Sequence, residues 1–111
     1  MLKPMPPTPE AFDDLVTRLR SVVEPKKVYL FGSCARGDVR EHSDIDVLVV
    51  VSDDIDLVRA NIEAYERMRG FGYPVDILYV NESRFQRHSK TPGFVYKEVL
   101  KEGRELYAAA A

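Results

Sequence analysis

Seven residues, Ile45-Asp-Val-Leu-Val-Val-Val51, constrain this chain more than any other stretch. Most of them are β-branched, so the run is a strand that belongs in a core. Yet it is entered through two carboxylates, Asp44 and Asp46. An unpaired charge taken out of water is costly, so these acids need a partner. On a strand, residues two apart point to the same side, with backbones about 6 to 7 Å apart. That spacing lets both carboxylates converge on one cation, while Ile45 and Val47 turn the other way, into the core.

The neighbouring elements follow from periodicity. Thr8 and Pro9 make a helix start, as N-cap and first helical residue. Phe12, Leu15, Val16, Leu19, Val22 and Val23 then recur at helical spacing, and Pro25 ends the helix. Residues 1–7 are proline-rich and read as a flexible arm. KVYLF, Lys27 to Phe31, is a first strand. Residues 33–43 form a polar loop with a short helical turn. After the strand at 45–51, Asp53 or Asp54 caps a second helix whose inner face is Ile55, Val58, Ile62, Tyr65 and Met68. Gly70 or Gly72 closes that helix. Tyr73 to Val80 is a third strand, Asn81 or Ser83 starts another short helix, and Pro92 to Glu102 is a last amphipathic helix with Gly103 as its stop. Leu106 and Tyr107 pack back onto the body. The order is α-β-α-β-α-β-α, counting the helical turn of the loop: a single α/β domain over 1–111, a small mixed sheet flanked by helices.

Charge narrows the function. Sixteen basic and 18 acidic residues are interspersed, for a net charge of −2. No basic stripe is present to supply phosphate contacts along a nucleic acid, which argues against a stand-alone nucleic-acid binder. One local site can still hold a nucleotide. Cys34 is the single cysteine, so no intrachain disulfide forms, which fits a reducing compartment. The longest apolar stretch is far too short to span a bilayer. The expectation is a cytoplasmic protein with no membrane partner.

Three further features bear on chemistry. Asp76 interrupts the apolar third strand, where it either pairs with a core arginine or completes a carboxylate triad with Asp44 and Asp46. Such a triad would suit magnesium, which takes oxygen ligands from one or two carboxylates plus substrate phosphates. Two ions about 4 Å apart can bind the attacking and leaving oxygens of an in-line phosphoryl displacement. Gly32 and Ser33 follow the first strand, where backbone amides and a hydroxyl can approach a phosphate. Arg36 is either a phosphate clamp or a loop residue, and Ser43 either caps the strand entry or touches a phosphate. His42 and His88 read as solvated, and Cys34 as filler.

Gly32-Ser33, ten intervening residues and then Asp44-Ile45-Asp46 resemble the GS-x10-DxD signature of the nucleotidyltransferase fold shared with DNA polymerase β. The ARGD and SDIDVLVV pieces resemble its minimal nucleotidyltransferases, and Asp76 falls where that family has its third acid. The resemblance implies transfer of AMP from ATP with release of pyrophosphate. It implies magnesium, two ions, on Asp44, Asp46 and Asp76, and a triphosphate held by Gly32 and Ser33. It also implies a partner: members are often encoded beside a small helical HEPN protein, act as its antitoxin, and in some cases add AMP to its tyrosine. Two other readings stay open, a module that neutralises such a partner by covering it, and transfer to a small-molecule hydroxyl.

Overall fold

The computed structural model describes residues 3–110. Helix α1, Pro9–Arg20, begins where the Thr8 hydroxyl accepts the Ala11 N–H at 3.2 Å. It ends at Ser21, before Pro25, so Val22 and Val23 reach the core from a turn. Leu15 and Leu19 are fully buried. Residues 1–2 of the expected arm lie outside the described residues. In the remainder, the Lys3 N–H donates to the Gly72 carbonyl at 2.7 Å, Met5 packs on the core and Pro7 is buried.

Strand β1 is Lys27–Phe31, the short helix α2 is Gly32–Arg36, and strand β2 is Ile45–Val51. Helix α3, Leu57–Glu66, crosses over to strand β3, Val75–Asn81, which lies parallel to β2. Helices α4 (Glu82–His88) and α5 (Val95–Glu102) precede a fourth strand, β4 (Arg104–Ala108). The sheet runs β3-β2-β1-β4, with β1 antiparallel to both of its neighbours. One face carries Val28, Leu30, Val47, Val49, Ile77 and Tyr79 against α1 and α3; the other carries Tyr29, Leu48, Val50 and Val80 against Phe85 of α4 and Tyr96 and Val99 of α5. The expected mixed sheet between helices is therefore present, with two differences.

The first is β4, which the sequence leaves as a packed tail. Leu106 and Tyr107 do pack on the core, but as residues of an edge strand. Its sequence, RELYA, has no buried residue and no alternation; the strand exists because β1 offers it backbone partners. The second is the phase of α3. Its buried residues are Ala60 and Ala64, while Val58 and Ile62 are 72% and 56% exposed. Small residues let the helix approach the sheet closely, so the alanines make the seam and the larger side chains stand beside it. The cap also differs: Asp56, not Asp53 or Asp54, accepts the Val58 and Arg59 N–H groups. Asp53 instead accepts the Ser83 N–H at 3.0 Å, in the first turn of α4, and that bond holds its carboxyl below the usual range.

Leu15 belongs to the larger cluster and has no exposed surface. Truncation of Leu15→Ala is expected to cost about 2–5 kcal/mol, the range for a buried leucine. Urea denaturation read by circular dichroism measures it; a loss under about 1 kcal/mol would show that this cluster does not hold the fold.

Candidate active site

Sheet register brings the singled-out residues together. Phe31 of β1 pairs with Asp46 of β2, and Asp46 pairs with Asp76 of β3. Paired residues share a face, and Asp44, two before Asp46, joins them. The row lies on the side of Tyr29, Leu48 and Val50, beneath α4 and α5. It sits at the end where the chain leaves β1 and enters β2 and β3. Because β3 follows β2 through a parallel crossover, both acid-bearing strands start at the same end of the sheet.

Gly32 makes the turn out of this row. Its φ of +69° is in the left-handed region, and a β-carbon there would overlap Asp46 Oδ2. The Asp46 carboxylate thus lies directly against the Gly32 backbone, with Ser33 next in α2. The Ser33 carbonyl accepts the Gly37 and Asp38 N–H groups at 2.9 and 3.2 Å, which closes the turn. Cys34 sits 3.7 Å from the Asp44 carbonyl oxygen. Burial, then the Asp46 and Asp44 charges, push its thiol up, so it stays protonated and is a poor nucleophile.

Asp46 is half-buried, and its carboxyl is pushed up by burial first and then by Asp76 and Asp44. Arg36 opposes this from the side of α2. The guanidinium is exposed and makes loose ion pairs, Nε 3.5 Å from Asp38 Oδ2 and Nη1 3.7 Å from Glu98 Oε1. Pairs of that kind are weak and exchange readily with a stronger anion. The Ser43 hydroxyl accepts the Arg40 N–H at 2.8 Å, and the Ser43 N–H donates to the Arg40 carbonyl at 3.0 Å. Ser43 therefore ties the loop before β2, and its own hydroxyl proton stays available to a phosphate.

Among the described residues, no three acid, histidine or cysteine side chains close into a cage for a metal. Asp44 and Asp76 are exposed and Asp46 is half-buried. The donor set nevertheless fits magnesium: an all-oxygen, acid-rich row beside a glycine turn, with two of its three acids exposed. Magnesium keeps several waters and shares substrate phosphates, so a full protein cage is not required of it.

One neighbour of the row escapes the sequence reading. Tyr65, taken as part of the inner face of α3, is 42% exposed, and its hydroxyl lies 3.4 Å from Asp76 Oδ1. Nothing local signals it, because the helix that carries it packs on the opposite face of the sheet.

The acids and the glycine-serine turn are thus gathered at one end of an α/β sheet. Residues 12–106 match the nucleotidyltransferase domain family, and the chain belongs to it. Over 101 residues the chain is 36% identical to a Methanocaldococcus jannaschii protein provisionally named a protein adenylyltransferase, covering 88% of this chain and 96% of that one. The likeness to solved structures is one of fold. A chain of a toxin–antitoxin complex crystallised with AMP-PNP superposes with a TM-score of 0.62 at 20% identity, over 88% of this chain and 73% of that one. A chain of the complex between a tri-AMPylated Shewanella oneidensis HEPN toxin and its MNT antitoxin gives 0.61 at 19%, over 90% and 71%. A Sulfolobus solfataricus nucleotidyltransferase, also provisionally named, gives 0.51 at 23%, over 94% and 92%. This chain is accordingly a nucleotidyltransferase.

Proposed function

We propose that the chain transfers AMP from ATP to a hydroxyl acceptor, a tyrosine of a HEPN-family partner, releasing pyrophosphate and so acting as that partner's antitoxin. The observation that carries this reading is the row of Asp46 and Asp76 beside the Gly32 turn, with Asp44 at its mouth. The provisional name of the Methanocaldococcus relative supports the adenylyl group and the protein acceptor. The AMP-PNP and AMPylated-toxin complexes support ATP and a HEPN partner.

In this mechanism Asp44 and Asp46 would hold two magnesium ions, with Asp76 as the third acidic ligand. Magnesium, when bound, would neutralise the triphosphate and lower the pKa of the attacking hydroxyl. Gly32 offers backbone that a triphosphate can approach closely, and Ser33 adds a hydroxyl donor. Arg36, released from Asp38 and Glu98, would clamp a phosphate. The acceptor oxygen bonds to the α-phosphorus, the bond to the β-phosphate breaks, and pyrophosphate leaves. Asp76 would help to take the proton of the hydroxyl. The Cys34 thiol has no part in it.

Incubation with ATP, magnesium and a HEPN-family protein with which it forms a complex should leave that partner heavier by one or more AMP units in an intact mass spectrum. An unchanged partner mass, under conditions where the two proteins form a complex, would overturn the proposal.

A further inference from the structure

Tyr65 reaches the acid row from the wrong side of the sheet. Helix α3 packs on the face of Val47, Val49 and Ile77, whereas Asp76 lies on the other. The tyrosine can cross because β3 is an edge strand, with no neighbour beyond it. Its hydroxyl sits at that edge and accepts the Ile77 N–H at 2.9 Å. One residue earlier, Asp76 Oδ1 lies 3.4 Å away, a long contact but on a hydroxyl already pinned.

The direction of these bonds is forced. An amide N–H can only donate, so the Tyr65 oxygen accepts from Ile77 and keeps its own proton. An ionised carboxylate can only accept, so in the contact between the two Tyr65 is the donor and Asp76 Oδ1 the acceptor. A second side chain of α3 completes the anchorage: Asn61 Nδ2 donates to the Ile77 carbonyl at 3.2 Å. Both backbone groups of Ile77 are thus occupied by α3, and Asp76 is presented from a fixed point of an otherwise open edge.

We infer that Tyr65 is a positioning residue for Asp76: its hydroxyl bond holds one carboxylate oxygen and leaves the other free to serve as a metal ligand. The inference rests on the metal-binding role proposed above. Partners that hydrogen-bond a metal ligand typically contribute about 10- to 100-fold to metal affinity or activity. The long Asp76 contact places Tyr65 at the lower end of that range.

Manganese titration followed by electron paramagnetic resonance, with AMP-PNP present and no acceptor, tests this without turnover. In Tyr65→Phe the manganese dissociation constant should rise about tenfold. Asn61→Leu, which removes the other α3 bond to β3 but leaves Asp76 untouched, should bind manganese as wild type does. Equal affinity of Tyr65→Phe and wild type overturns the inference alone. Equal weakening in Asn61→Leu overturns it too, since strand anchorage would then be the cause. No manganese binding by wild type overturns it together with the metal role on which it rests.

Should Tyr65→Phe fail to fold, the intact chain labelled with 3-fluorotyrosine supplies the answer. One fluorine resonance should move both in Asp76→Asn and on addition of magnesium with AMP-PNP. The absence of any resonance that responds to both would overturn the inference.

Discussion

Replacement of both aspartates, Asp44→Asn with Asp46→Asn, is expected to lower AMP transfer at least about a hundredfold while leaving the fold intact. Asparagine keeps the shape of each side chain and one acceptor oxygen but removes the charge that would hold magnesium. Folding should not suffer, and the sign can be worked out for Asp46. Burial and two neighbouring acids push its carboxyl up, so the native state binds that proton more tightly than the unfolded chain does. Ionisation of Asp46 therefore costs stability, increasingly as pH rises through the carboxylate range. The neutral variant escapes the cost, and its melting temperature at pH 7 should equal or exceed that of wild type. Differential scanning calorimetry checks the stability and intact mass of the partner checks the transfer. The same variant separates catalysis from simple covering. If it binds the partner yet no longer protects cells from it, protection needs transfer. If protection survives complete, the chain neutralises its partner by contact, and adenylylation is not its antitoxin mechanism.

Gly32→Ala should be nearly as damaging for a different reason. An alanine at φ +69° costs about 1–3 kcal/mol in backbone strain. Its β-carbon would also meet Asp46 Oδ2, and the carboxylate must move or the turn must open. Displacement of a reacting group by about 1 Å can cost about a hundredfold in rate. Gly37→Ala is the matching control: φ is +82°, but a β-carbon there meets nothing within 4 Å. Both variants should lose stability to denaturant, but only Gly32→Ala should lose its turnover in pyrophosphate release. Similar activity in the two would mean that the close approach at Gly32 is irrelevant to the site.

Much of this was legible because it is local. The glycine turn, the loop and the paired aspartates fall between Gly32 and Asp46, and their spacing is visible without any tertiary knowledge. Asp76 was legible for another reason, as a charge inside an apolar run. Strands β1, β2 and β3 announced themselves by β-branched and aromatic content. What stayed hidden depends on neighbours. Strand β4 has no apolar pattern and is defined by what β1 offers it. The phase of α3 was misread because bulk was taken as the sign of burial, whereas Ala60 and Ala64 set the contact. Tyr65 follows from that error: placed in the core by its aromatic character, it lies at the sheet edge beside Asp76. Asp56 took the cap from Asp53 and Asp54 in a cluster of acids that all suit the role, and Asp53 proved to serve α4 across the chain.

The parallel register of β2 and β3 has a consequence for quality control. Shifting β3 by one residue would turn every side chain over. Asp76 would enter the apolar layer under α3, and Ile77 would face the open end in its place. The chain would pay once in stability and again in a lost acid. Under the proposed roles, molecules with the wrong strand alignment would therefore be silent as enzymes as well as fragile, and the specific activity of a preparation would count the correctly aligned fraction.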